Sequence, residues 1–195
     1  DGVTGSDDDL RVVEFWDRGF EAAPSTATFA AYAAAVDGRR RTVAFGERWT
    51  RGGLSVEVVA GPAAAGGENE RGIALRIVVM GVTLLAPGDL PPIALGDAAR
   101  APVDLLWASH HGARDATSPD LLDALDPRLV IVTAGLDNPY CHPSARVVDR
   151  LSARPAWFTG AAGLAPEGPC EPLEPRLGEA HGVVGGDLWI AADGR

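Results

Sequence analysis

The chain has 195 residues, of which 46% are hydrophobic and 23% are charged; this is typical of one globular domain and excludes a disordered or fibrous protein. The formal net charge of −10 argues against a simple nucleic-acid-binding module, because such modules contact phosphate through an excess of Lys and Arg. No apolar run reaches the length of about 18 residues that a membrane-spanning helix needs.

Two further features concern processing and redox state. Asp1-Gly2-Val3 shows neither an initiator Met nor the pattern of a signal peptide, so we expect that Asp1 is not the natural start of the gene product. Cys141 and Cys170 have no motif spacing. They predict no disulfide framework and a reduced or redox-indifferent compartment.

The first half of the chain is rich in predicted hairpins. An Ala-rich run behind a Ser/Thr cap predicts a helix over 25–36, and a Gly/Ala/Pro loop is predicted over 60–69. Gly52-Gly53 and Gly81 mark tight turns between strands. Strands are predicted from β-prone apolar runs over 10–16, 42–46, 54–59, 72–80 and 82–86.

In the second half, predicted strands alternate with predicted helices. Helices over 118–125 and 144–152 each begin at a serine, a preferred capping residue. A Pro/Gly loop is predicted over 160–181. The predicted strands are 103–108, 129–135, 156–159 and 183–192. This order predicts an α+β domain whose sheet carries helices on one face.

Chemistry-bearing residues follow two of these strands. His110 and His111 come directly after strand 103–108, and Asp89 follows strand 82–86. Alone, the histidines could belong to a solvated turn, and Gly88-Asp89 could be an ordinary turn pair. Together they place a carboxylate and two imidazoles at neighbouring strand ends, the mixed donor set that zinc prefers.

The other two histidines are less distinctive. His142 follows strand 129–135 and precedes the helix at 144, so it is either a site residue or part of a helix-entry turn. His181 lies in a Gly-rich segment and is interpreted as a loop histidine.

Four sequence blocks together resemble the metallo-β-lactamase-fold domain of ComEC-type competence (DNA-uptake) proteins. They occur in the family's order over about residues 10–159. Residues 68–76 and 88–90 resemble the family's NERS-xVLRL and LLTGDL, 103–114 its DVLKVxHHGSR, 118–127 its TSPxFLxAxxP, and 138–143 its NxYGHP.

The resemblance implies a four-layer αβ/βα sandwich with two divalent metal ions, zinc or alternatively manganese, at one edge. By position, Asp89 resembles the carboxylate that bridges the metals, and His110 resembles a late histidine ligand. His111 would be a second ligand or a proton donor to the leaving group. His142 would touch the substrate phosphate. The catalytic residues implied are therefore His111 and His142.

The chain also departs from the family pattern. The first metal motif, HxHxDH, is absent, so we expect residues 1–195 to be a partial domain whose N-terminal part is missing, and to be poorly soluble and inactive or impaired alone. The individual departures are Gly72 for Ser, Ala86-Pro87 for Leu-Thr, Ala113 for Ser and Cys141 for Gly.

These features predict a metallohydrolase that attacks a phosphodiester, as a phosphodiesterase or a nuclease-like enzyme does. DNA is a candidate substrate that the net charge disfavours. The alternatives are an esterase acting on a small ester, thioester or phosphocholine group, and a non-catalytic remnant of the fold. A free-standing protein would be cytoplasmic, whereas a domain of a competence channel would be extracytoplasmic.

Overall fold

The computed structural model of the chain describes residues 12–19, 24–61, 66–161, 163, 169–184 and 188. The chain divides into two compact units, an N-terminal unit of residues 1–44 and a C-terminal unit of residues 45–195. Each unit has its own β-sheet. The candidate site residues all belong to the C-terminal unit.

The N-terminal unit pairs strand β1 (Phe15–Asp17) in parallel with β2 (Arg40–Thr42), with helix α1 (Ala27–Ala35) between them in sequence. Helix α1 starts where the Thr26 hydroxyl accepts the Phe29 N–H at 3.1 Å, as its Ser/Thr cap predicts. The strand predicted over 10–16 begins only at residue 15 among the described residues, since residues 12–14 are not paired in the sheet.

Asp17 links the elements of this unit. Its carboxylate accepts hydrogen bonds from Arg40 Nε at 2.6 Å, Gly19 N–H at 2.7 Å and the Tyr32 hydroxyl at 3.0 Å. Burial by itself raises the pKa of Asp17, but the hydrogen bonds from Arg40, Gly19 and Tyr32 outweigh it and lower the pKa below its ordinary value of 3.8.

We therefore expect Asp17→Asn to destabilise the N-terminal unit by about 1–2 kcal/mol at neutral pH, because three donors lose a charged acceptor. A lowered folded-state pKa gives stability that is present above the unfolded value and is lost as pH falls through the folded value. The hydrogen-exchange protection factors of residues 12–19 and 24–44, which correct for the intrinsic pH dependence of exchange, should thus fall below about pH 4 in the wild type and depend less on pH in the variant. The exposed Asp37 supplies the control: equal effects of Asp37→Asn and Asp17→Asn would contradict this role.

The C-terminal unit is built on one eight-stranded sheet, in the order β10-β9-β8-β7-β6-β5-β4-β3. Strands β3 to β6 pair antiparallel, and β6 to β10 pair in parallel. The strands are β3 (Arg48–Arg51), β4 (Leu54–Ala60), β5 (Ala74–Val79), β6 (Val82–Ala86), β7 (Leu105–Trp107), β8 (Leu129–Val132), β9 (Ala156–Phe158) and β10 (His181–Val183).

The hairpins follow the predicted turns, with one correction. Met80 and Gly81 join β5 to β6 with φ of 51° and 86°, and two positive φ values suit the strand twist of a two-residue hairpin. The strand predicted over 42–46 is wrong as a hairpin partner: β3 takes that place. Arg51 pairs with Leu54 across the two-residue turn Gly52-Gly53. The strand that pairs with β4 must therefore end at Arg51, directly before the glycines.

The helices α2 (Pro119–Leu125) and α3 (Ala145–Arg150) are capped by Ser118 and Ser144. Each serine hydroxyl accepts the backbone N–H of the residue three positions later in the chain. Their buried side chains join one hydrophobic core with a row of neighbouring strand residues. The shared core includes Leu85, Leu106, Val130 and Ala156 from the sheet and Leu121, Leu122, Leu125, Val147 and Val148 from the helices. The mixed α+β class is thereby confirmed, and the four-layer sandwich stays a prediction.

The structure corrects three further expectations. Cys141 and Cys170 form a disulfide, so the prediction of no disulfide framework is wrong. The last strand is His181–Val183 rather than 183–192, and residues 185–187 and 189–192 of that prediction lie outside the described residues. His181 begins this strand rather than lying in a loop. Its Nε2 lies 3.1 Å from the Leu151 carbonyl, a contact that gives it a packing role.

Within the described ranges, no helix has both the length and the apolar character needed to cross a membrane.

Candidate functional site

The site lies where three parallel strands end. Asp89 follows β6, His110 and His111 follow β7, and Thr133 follows β8. The carboxyl ends of parallel strands meet at one edge of a sheet, where ligand sites are commonly built. Here they border an open cavity of about 360 Å³, termed the main cavity because Asp89 and His111 line it; the full lining is Ile73, Leu75, Ala86, Gly88, Asp89, Trp107, Ala108, His110, His111 and Thr133.

The two histidines occupy a left-handed turn. His110 and His111 have φ of 49° and 55°, and Gly112 follows with φ of 76°. A left-handed non-glycine residue costs about 1–2 kcal/mol, so the surrounding contacts must hold this turn. The His110 N–H donates to the Gly88 carbonyl at 3.0 Å, and the buried Ser109 hydroxyl donates to the Leu90 carbonyl. Backbone strain held in this way is characteristic of functional sites.

His111 has a defined tautomer. Its Nδ1 lies 2.8 Å from the Thr133 carbonyl oxygen. A carbonyl can only accept, so Nδ1 carries a proton and neutral His111 presents an unprotonated Nε2. That Nε2 lies 4.0 Å from Asp89 Oδ1. Metal-ligating histidines are commonly oriented in this manner, with the other ring N–H donated to a carbonyl.

The separation of Asp89 and His111 suits a shared cation. It is too long for a direct hydrogen bond, whereas two zinc bonds of about 2.0–2.2 Å can span it after a small rotation of either side chain. Both side chains are about half exposed, at 49% and 55%, so a cation could reach them. This pair fits a divalent metal ion but gives only two donors. Across the described part of the chain, no three His, Cys, Asp or Glu side chains converge as a metal site.

His110 lines the same cavity but makes different side-chain contacts. Its Nδ1 is 3.4 Å from the Asn69 side-chain amide, and its ring meets the His142 ring edge-on with centroids 5.6 Å apart. The structure therefore brings His110 and His142 together as a second pair, while His111 pairs with Asp89. Asn69 lies in the loop before β5 and orients His110 from the side.

The loop that carries His142 is held at several points. Asn138 clamps it, because its Oδ1 accepts the His142 N–H and its Nδ2 donates to the His142 carbonyl, both at 2.8 Å. The disulfide with Cys170 fixes Cys141, the residue directly before His142. Burial lowers the pKa of His142, and the neighbouring His110 and His111 lower it further, although Asp89 opposes them. A neutral His142 imidazole is the expected form near pH 7.

Sequence reasoning assigned no role to Thr133, Trp107, Asn69 or Asn138. Thr133 orients His111 with its carbonyl and accepts the Trp107 indole N–H at 2.9 Å with its hydroxyl. Thr133 follows a strand in the same way as Asp89, and that position was the available signal. Asn69 and Asn138 lie inside blocks that resemble the family, but only the folded chain shows which atoms they touch.

Gly112 lets the histidine turn pack against the His142 loop. A Cβ at this position would lie 2.7 Å from Pro143 Cβ and 3.2 Å from Val132 Cγ1. We expect Gly112→Ala to lower the free energy of unfolding by about 2–4 kcal/mol, from left-handed strain plus overpacking. Urea unfolding would measure this.

Gly81→Ala is the matched control, since Gly81 also has positive φ but a Cβ there would meet nothing within 4 Å. It should cost only about 1 kcal/mol. Equal losses in the two variants would show that the contact with Pro143 is unimportant.

Comparisons with known proteins give short or distant similarities. No family model matches the chain. The chain is 35% identical to ComE operon protein 3 of Bacillus subtilis over 48 residues, which are 25% of this chain and 6% of that protein. It also resembles a solved structure from Thermotoga maritima described as a Zn-dependent hydrolase of the metallo-β-lactamase superfamily. That similarity has 18% identity and a TM-score of 0.34, and covers 47% of each chain.

Proposed function

We propose that this chain is part of a metal-dependent hydrolase of the metallo-β-lactamase type that cleaves phosphodiesters. The observation that carries the proposal is the Asp89–His111 pair, in which the Thr133 carbonyl directs an unprotonated His111 Nε2 toward a carboxylate 4.0 Å away. Such an N/O pair is typical of catalytic zinc sites. The resemblance of the four sequence blocks to ComEC-type domains supports the same assignment.

Each residue of the proposed site is assigned a separate role. Asp89 and His111 would hold the metal, with His110 as a further ligand. Bound cations would supply Lewis acidity and a nucleophilic water. His142, neutral and half-buried beside His110, would donate a hydrogen bond to the substrate phosphate. The ligands still required are proposed to come from an HxHxDH segment outside these 195 residues.

A small ester is the second candidate substrate, and two observations favour it. The net charge of −10 repels polyanions. The main cavity also has an apolar wall of Ile73, Leu75, Ala86, Trp107 and Ala108, which suits an acyl or aromatic group.

Hydrolysis assays decide between these substrates. A protein that carries both this chain and an HxHxDH segment, loaded with Zn²⁺ or Mn²⁺, should hydrolyse bis(p-nitrophenyl) phosphate faster than p-nitrophenyl acetate. Chelation should abolish the reaction, and metal analysis should find two ions per chain. A faster ester reaction would favour the second candidate. Absence of turnover on both substrates with two metals bound would overturn the assignment as a phosphodiesterase.

A further inference from the structure

A second cavity adjoins the site on the far side of the His110–His142 pair. This side cavity has a volume of about 230 Å³ and is lined by residues that include Arg114, Tyr140, His142 and Glu171. His110 lines the main cavity and His142 lines the side cavity, and the two rings are 5.6 Å apart. The contact between these rings therefore places the two cavities next to each other.

The side cavity offers a cation. Arg114 is exposed and forms no ion pair with any residue that the structure describes, whereas Arg48, Arg154 and Arg176 are paired with carboxylates. Glu171, which also lines this cavity, shares the Arg176 guanidinium with Asp149, so Arg176 holds it in an ion pair and these three side chains keep one net negative charge. Arg114 is thus available to a phosphate, for which a guanidinium is well suited because it can donate two parallel hydrogen bonds.

The side cavity also offers an aromatic surface. Tyr140 is 76% exposed, so its ring is accessible to a ligand. Its ring stacks on His142 with centroids 5.9 Å apart and an angle of 22° between the planes. Asn138 and the disulfide hold the loop that carries both rings, so the platform is fixed before any ligand arrives.

We propose that the side cavity is a subsite for the nucleotide next to the bond that is cleaved, with Arg114 binding its phosphate and Tyr140 stacking on its base. A cation beside an exposed aromatic ring is the combination by which proteins bind single-stranded nucleic acid without reading its sequence. This inference rests on the proposed phosphodiesterase function and narrows its substrate to single-stranded nucleic acid. Arg114 supplies the local cation that phosphate binding requires on a chain whose net charge is −10.

Binding of a fluorescein-labelled octathymidylate tests the subsite. Anisotropy is measured in EDTA, where cleavage cannot occur, at several low NaCl concentrations. Arg114→Gln should weaken binding about 5- to 20-fold and reduce the slope of log K against log salt by about 0.7, the value for one lost phosphate contact on a single strand. Arg128→Gln is the charge-matched control: Arg128 is 84% exposed and precedes β8, at the opposite end of that strand from Thr133.

Tyr140 variants and an abasic oligomer test the stacking contact. Tyr140→Ala should weaken binding of the octathymidylate about 5-fold or more, and Tyr140→Phe should retain it. An abasic deoxyribose-phosphate oligomer of equal length should respond to Arg114→Gln but not to Tyr140→Ala. Thymidine monophosphate and inorganic phosphate, added as competitors, separate a strand site from a site for a free phosphate.

The outcomes are distinct. The subsite is overturned if the wild type does not bind the oligomer, if Arg128→Gln weakens binding as much as Arg114→Gln, or if inorganic phosphate competes as well as the oligomer does. Binding as expected, but without hydrolysis of bis(p-nitrophenyl) phosphate by the metal-loaded protein, would refute the proposed function alone. Hydrolysis of bis(p-nitrophenyl) phosphate without binding of the octathymidylate would refute the subsite alone.

Discussion

Asp89→Ala is expected to reduce hydrolysis by at least about a thousandfold in a protein that carries the complete ligand set, because the loss of several kcal/mol of metal-derived stabilisation corresponds to that factor. Metal content should fall as well. Asp89 presents its carboxylate 4.0 Å from His111 Nε2, and both side chains are half exposed, so nearby water rather than another described ligand would replace it. Metal analysis and turnover of bis(p-nitrophenyl) phosphate are the two measurements.

His142→Ala is the comparison variant for this prediction. His142 contacts the His110 ring edge-on and lines the side cavity, so its loss should lower turnover and leave the metal content nearly intact. Asp89→Asn separates charge from shape, because an amide keeps the size of the side chain and lacks the negative charge. If Asp89→Ala binds metal as tightly as the wild type, the bridging role assigned to Asp89 is wrong.

Loss of the disulfide is expected to have the second-largest effect, on stability. Cys141 and Cys170 are 29 residues apart in the chain, and closing a loop of that size stabilises a protein by about 3–4 kcal/mol through the entropy of the unfolded state. Reduction with dithiothreitol should therefore lower the midpoint of urea unfolding markedly. The double variant Cys141→Ser/Cys170→Ser should be equally destabilised without reductant.

The double variant is also the control, because dithiothreitol should not change its unfolding further. A thiol assay on the oxidised, denatured protein should find no free cysteine. If the wild type shows two free thiols, or unfolds at the same urea concentration with and without reductant, the cross-link does not stabilise the native state.

The elements that the sequence predicted well are those with local signals. Ser118 and Ser144 predict the starts of two helices because a serine hydroxyl accepts a hydrogen bond from a backbone N–H only a few residues later in the chain. Gly81 predicts the β5–β6 hairpin because two-residue turns need positive φ. Elements without such a local signal were displaced: β3 replaced the strand predicted over 42–46, and β10 began at His181.

The candidate site divides in the same way. The sequence by itself placed Asp89, His110 and His111 after strands and identified them as possible ligands, since strand ends and residue types can be read from the order of the chain. Only the tertiary structure decided that Asp89 pairs with His111 and that His110 pairs with His142.

The physical reason is that these contacts join segments far apart in sequence. Parallel pairing of β6, β7 and β8 sets which strand ends are neighbours, and no local periodicity encodes that pairing. The Thr133 carbonyl is a backbone group, so its orientation of His111 has no sequence signature. Cys141 and Cys170 become partners only when the fold brings their Cα atoms within 5.3 Å.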